Sequence, residues 1–258
     1  MDALQVSQTV RIAIALILLA GAALSVMAIA GLAFKREMLI SAARALVQLV
    51  VVALLIAWIF RHPQATLLYL GVMLVVAAFT STRRIHGSRD DFWVVLCAIA
   101  AGAGATTSIV YVTGALSRDA QSLLPFAAQM IGGAMTAASL AGVRLRDDVA
   151  DNWLTFEGYV ALGASLSQAG REFARRSSER ALFPTMDQTK SAGLVTLPGA
   201  FVGLLLGGAS PLLAAQIQLL VLVGLMLVQS LAAVITTWWI SPVSGEVLSR
   251  AMATSSIP

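Results

Sequence analysis

Residues able to do chemistry are few in this sequence, and none of them forms a catalytic constellation. Gln188-Thr189-Lys190-Ser191 carries a Lys-Ser pair but lacks the glycine loop whose backbone N–H groups cradle phosphates, so the chain is not expected to bind ATP itself. His-Glu-x-x-His and Gly-x-Ser-x-Gly are absent, and the two histidines, His62 and His86, fall in turns on opposite sides. Cys97 is the single cysteine, which excludes an intrachain disulfide; lying in an apolar run, it reads as a small buried hydrophobe. No catalytic residue is assigned, and a non-enzymatic role is expected.

Polar residues inside apolar stretches are the next candidates, because each costs free energy unless it faces other helices or water. Arg44 and Gln48 lie one helical turn apart and share a face. Arg44 is about 12 Å along the helix from Arg36, close enough to snorkel to the interface, with a polar pathway as the alternative. Gln129 stands beside Met130 and Met135, whose thioethers either meet soft metal ions or fill the core. Gln216, Gln218 and Gln229 suit interhelical hydrogen bonds. Trp58 and Trp238-Trp239 suit the aromatic belts at the membrane surface.

The largest polar segment, about 143–189, contains Glu157 and two expected helices. The first carries Trp153, Phe156 and Tyr159 and stops at Leu162-Gly163. Ser165 and Gln168 have the spacing of a capping box, which starts the second. That helix is expected to end near Arg180, before Pro184. Glu172 and Arg176 form an i,i+4 pair on it, and Phe173 supplies an apolar knob. Such a helix can dock in a groove on a partner or lie on anionic lipid.

The elements that hold these residues are membrane helices. Hydrophobic residues make up 59% of the 258-residue chain and charged ones 12%, with mean hydropathy +0.86. Soluble domains carry roughly 25% charged residues. The expected fold is a single all-α polytopic transmembrane domain over 1–258. Its seven spans are placed at 9–33, 38–60, 64–81, 91–113, 121–142, 190–208 and 213–240, with one structured cytoplasmic loop. Basic residues crowd one set of connections: Lys35, Arg36, Arg83, Arg84, Arg89, Arg144, Arg146, Arg171, Arg175, Arg176, Arg180 and Lys190. The other set holds Arg61 and Arg118, and Arg11 lies near the N-terminus. The positive-inside rule then puts the N-terminus outside and the tail with Arg250 inside. The net charge of +4 belongs to these helix ends and not to a nucleic-acid surface. Gly199, Gly203 and Gly207, at four-residue spacing, suggest a packing face, either within the chain or as a homodimer seam.

Three runs carry a resemblance to a known family. They are Arg44-Ala45-Leu46-Val47-Gln48-Leu49, Met130-Ile131-Gly132 with Ala134-Met135, and above all Leu162-Gly163-Ala164 through Leu182-Phe183-Pro184-Thr185 to Leu197-Pro198-Gly199. They are similar to the FetB-type (UPF0014) family of iron-export ABC permeases, which has plant relatives in aluminium tolerance. The chain departs at Gly133, where the family commonly has Asn, while a carboxamide stands a turn away at Gln129. The resemblance implies a homodimeric permease in the bacterial inner membrane that pairs with a separate ATP-binding subunit. That subunit would bind ATP and Mg, with no cofactor in this chain. Glu157, Leu162, Gly163, Ser165, Gln168, Phe173, Arg176 and Pro184 become candidates for coupling. Iron or another metal is the expected cargo; a nucleotide sugar, a lipid-like molecule, or an ATP-independent transporter or channel is the alternative.

Overall fold

Helix signals recur along the chain, and in the computed structural model, which describes residues 3–117, 119–243 and 247, with side chains from residue 8, they produce nine helices and no strand among the described residues. These are α1 (Ala3–Ile29), α2 (Lys35–Ile59), α3 (Ala65–Arg84), α4 (Arg89–Thr113), α5 (Ala120–Asp151), α6 (Trp153–Ala161), α7 (Leu166–Ser191), α8 (Gly199–Leu206) and α9 (Pro211–Trp239). Side-chain caps start four of them. Ser88 accepts from the Asp91 amide, Asp119 from Ser122, Ser165 from Gln168 and Ser210 from Leu213. Arg118 and Arg250 lie outside the described residues.

Contacts divide the chain into two compact units, 1–62 and 63–258. The first is the α1–α2 hairpin, apolar and exposed along both helices, closed by His62 stacked on Trp58 with ring centroids 4.7 Å apart. The second is a bundle in which α5 and α9 lie against one another and against α4 and α7. Its core runs through Val95, Ile99, Met130, Ala134, Leu145, Phe156 and Val228. Close approach depends on glycine: a Cβ on Gly133 would sit 2.6 Å from Leu225 Cδ2, and one on Gly102 2.9 Å from the Val228 carbonyl oxygen.

Six helices, α1 to α5 and α9, are long and apolar enough to cross a bilayer. The seventh expected span, 190–208, is not one helix. Pro198 bars its own predecessor from helical geometry, Gly193 takes φ +83°, and eight-residue α8 is only about 12 Å long. In its place the chain runs as the end of α7, an unwound segment and α8, and Lys190, expected among the basic connections, lies instead just before that segment, exposed and paired with Asp187 at 3.9 Å. Hydrogen bonds fix this assembly antiparallel to α9: Ser178 to Thr237 at 2.8 Å, Thr185 to Gln229, and the Phe201 amide to Gln218 Oε1 at 3.1 Å. From Gln218 to Thr237 is about 28 Å of helix, close to a hydrocarbon core. Gln218 and Gln229 thus serve the interhelical role expected of them, while Gln216 is exposed.

Candidate functional site at the basic end of the bundle

One end of the bundle gathers the α3–α4 turn, the last two turns of α5, α6, the first half of α7 and the end of α9. Polar links tie the α3–α4 turn and α7 to α5. Arg146 donates to Asp91 Oδ2 at 2.8 Å and to the Ile85 carbonyl at 2.6 Å, and both charged side chains are over nine-tenths buried, at 7% and 8% exposure. Asp91 also accepts from the amide (2.8 Å) and hydroxyl (3.1 Å) of Ser88, so a single carboxylate caps α4 and anchors α5. Arg180 pairs with Asp148 at 2.9 Å, joining α7 to α5.

The expected capping box is present: the Gln168 amide donates to Ser165 Oγ at 3.3 Å and the Ser165 amide to Gln168 Oε1 at 2.9 Å. The second helix, however, does not stop near Arg180. It continues through Pro184 to Ser191. A proline inside a helix leaves the carbonyl four residues back without its amide donor. Here that carbonyl belongs to Arg180, and the Arg144 guanidinium donates to it from α5. The broken bond is replaced from outside the helix, so the helix runs on.

Phe173, expected as a knob for a partner, is turned inward at 5% exposure and packs edge-on against Phe156 at 6.3 Å. It braces α6 on α7. The surface actually offered outward is α6 and the turn after it: Leu154, Glu157 and Tyr159 are exposed, and Leu162 is 88% exposed. Gly163 makes this turn at φ +94°, its amide bonded to Val160 O and that of Ala164 to Tyr159 O. On α7, Glu172 bonds to Arg175 (3.1 Å) and Arg176 (2.8 Å). The Arg175 guanidinium, then that of Arg176, hold Glu172 below the usual carboxylate range, and Glu172 in turn raises Arg175.

The pathway candidates differ in exposure. Met130 is fully buried against Gly224, whereas its neighbour Gln129 is exposed, because consecutive helical residues point about 100° apart. Met135 is half-buried. Arg44 and Gln48 are exposed together on α2, in the other unit. Cys97 is exposed and not buried. The glycine stripe is not a packing face within the chain: nothing approaches Gly199 or Gly203, and Gly207 meets only carbonyls of its own helix. Among the described residues no group of three His, Cys, Asp or Glu could hold a metal ion. The Arg146–Asp91 anchor was not foreseen; only the Ser88-x-x-Asp91 spacing could have signalled half of it.

A family model described as "Uncharacterised protein family (UPF0014)" matches residues 9–243. The chain belongs to the UPF0014 family. Among its relatives, the "UPF0014 membrane protein STAR2" of Oryza sativa is 34% identical over 80% of this chain and 73% of its own length. "Protein ALUMINUM SENSITIVE 3" of Arabidopsis thaliana is 31% identical over 80% and 78%. The "Probable iron export permease protein FetB" of Escherichia coli is 31% identical over 80% and 81%. No solved structure matches. The matched range takes in the whole basic end.

Proposed function

We propose that this UPF0014 member is the permease subunit of an ABC transporter, exporting iron or another metal ion or complex with ATP and Mg bound by a separate subunit. A relative named as an iron export permease supports the cargo class. The observation that carries the reading is α6 and the turn after it: a nine-residue helix with exposed Leu154 and Glu157, followed by exposed Leu162, and packed on α7 through Phe156 against Phe173. A packed, partly apolar projection on a charged end suits a groove on an ATPase. Movement there would tilt the bundle between inward-open and outward-open states. In this reading the basic end is cytoplasmic, the membrane is the bacterial inner membrane, the N-terminus lies outside and the C-terminus inside, and two copies act with two ATPases. Ser165, Gln168 and Arg176 shape the turn and the helix after it, Pro184 lies within that helix, and Arg44, Gln48, Gln129 and Met135 are the remaining pathway candidates.

The test is co-purification with a lone ABC ATPase followed by metal-stimulated ATP hydrolysis in vesicles. Leu162→Asp is expected to abolish stimulation while the permease keeps its thermal midpoint; Phe173→Ala is expected to lower the midpoint as well, being a core truncation of about 3–5 kcal/mol. Stimulation unchanged in Leu162→Asp refutes the assignment of this surface.

A further inference from the structure

The unwound segment 192–198 lies alongside α9 between the levels of Gln229 and Gln218, and so at least about 10 Å of helix from either end of α9. Its backbone is only partly satisfied. The amides of Leu194, Val195 and Thr196 all converge on the Ser191 carbonyl, and Gly193 donates to Thr196 O at 2.8 Å. The carbonyl oxygens of Ala192, Gly193, Leu194, Val195 and Leu197 accept no hydrogen bond among the described residues. The segment is open as well, with Leu194 at 90% exposure and nothing near Gly193 or Gly199.

Five free carbonyls cannot face lipid, which offers no donor; non-helical backbone at this depth persists only where protein covers it or water reaches it. A second copy meeting this surface with its own equivalent would bring carbonyls to carbonyls. The apolar sequence of α8, Gly-Ala-Phe-Val-Gly-Leu-Leu-Leu, adds no side-chain donor. Water or a cation satisfies the oxygens directly. Unwound helices whose carbonyls point at a cavity are a common way for transporters to hold cations, and carbonyl oxygens suit hard cations over soft ones. Met130 is sealed in the core and does not compete for the role.

We infer that residues 192–198 line a water-accessible part of the membrane path and present their free carbonyl oxygens to a hard metal cation. The cation rests on the transport reading above; the water access does not. The experiment uses the full chain in proteoliposomes with Cys97→Ala, carrying Leu194→Cys, Val195→Cys or Leu197→Cys one at a time. Each is labelled with a charged, membrane-impermeant methanethiosulfonate, and SDS-denatured protein sets full reactivity. At least two positions are expected to label, and Mn2+ is expected to slow them severalfold while leaving Arg61→Cys, on the α2–α3 turn, unchanged. Failure of all three to label, or disulfides between copies at Leu194→Cys, overturns the water-lined path. Labelling that Mn2+ leaves unaltered overturns the cation contact. Protected labelling without any ATPase stimulation would instead count against the ABC reading alone.

Discussion

Removing Arg146 tests how dry the basic end is. In Arg146→Leu, Asp91 keeps its two bonds to Ser88 but loses its counter-charge, and the Ile85 carbonyl loses its donor at 2.6 Å. Both partners are nearly inaccessible, so solvent cannot compensate. Breaking a buried pair of this kind costs about 3–5 kcal/mol, most of it the charge left behind. With about 2–4 °C per kcal/mol for a chain of this size, the thermal midpoint in detergent should fall by roughly 10 °C. The double variant Asp91→Asn with Arg146→Leu should recover most of that fall, because the amide oxygen still caps α4 and no charge is stranded. Arg146→Lys should lie between, since one ammonium cannot span the carboxylate and the carbonyl as a guanidinium fork does. The comparison is Arg175→Leu on the α7 surface, where both members of the pair are largely exposed and little change is expected. If Arg146→Leu costs no more than Arg175→Leu, the pair is hydrated and the reasoning fails.

Two further outcomes follow from α7. Arg144→Gln should destabilise the chain by about 1 kcal/mol, but the cost should vanish in a Pro184→Ala background, where residue 184 regains an amide for the Arg180 carbonyl; additive effects in a thermal double-mutant cycle would contradict this. The Glu172 carboxyl is held below its ordinary 4.5, so its contribution to folding is fully present above that value and is lost as pH falls through the lowered one. The difference in midpoint between wild type and Glu172→Gln should therefore be constant across neutral pH and shrink only in acid, as pH-dependent unfolding scans would register.

What the sequence made legible was local. Ser165 and Gln168 are three residues apart, so their mutual capping could be read from spacing alone, and long apolar runs announced six spans directly. Features built from distant partners could not be read this way. Asp91 and Arg146 are 55 positions apart, and neither looks special among the charges at helix ends. Pro184 predicts a helix end on local grounds; the donor that overrules it comes from Arg144, 36 positions before the carbonyl it satisfies. The run 190–208 is apolar enough for a span, but hydropathy does not register that Gly193 and Pro198 unwind its middle. Phe173 has the placement of a surface knob on its own helix, and only the arrival of Phe156 turns that face into an interior.

The continuity of α7 past Pro184 makes it a lever. Twenty-six residues give a rod about 39 Å long whose base adjoins the Gly163 turn and whose tip is the unwound segment at Ala192. Tilting such a rod by about 5° about its base moves the tip by roughly 3 Å, about the width of a water molecule. A push at the charged end would thus arrive, undivided by any hinge, where the backbone oxygens are free: a small rotation at one end becomes, at the other, the difference between a path that admits water and one that does not.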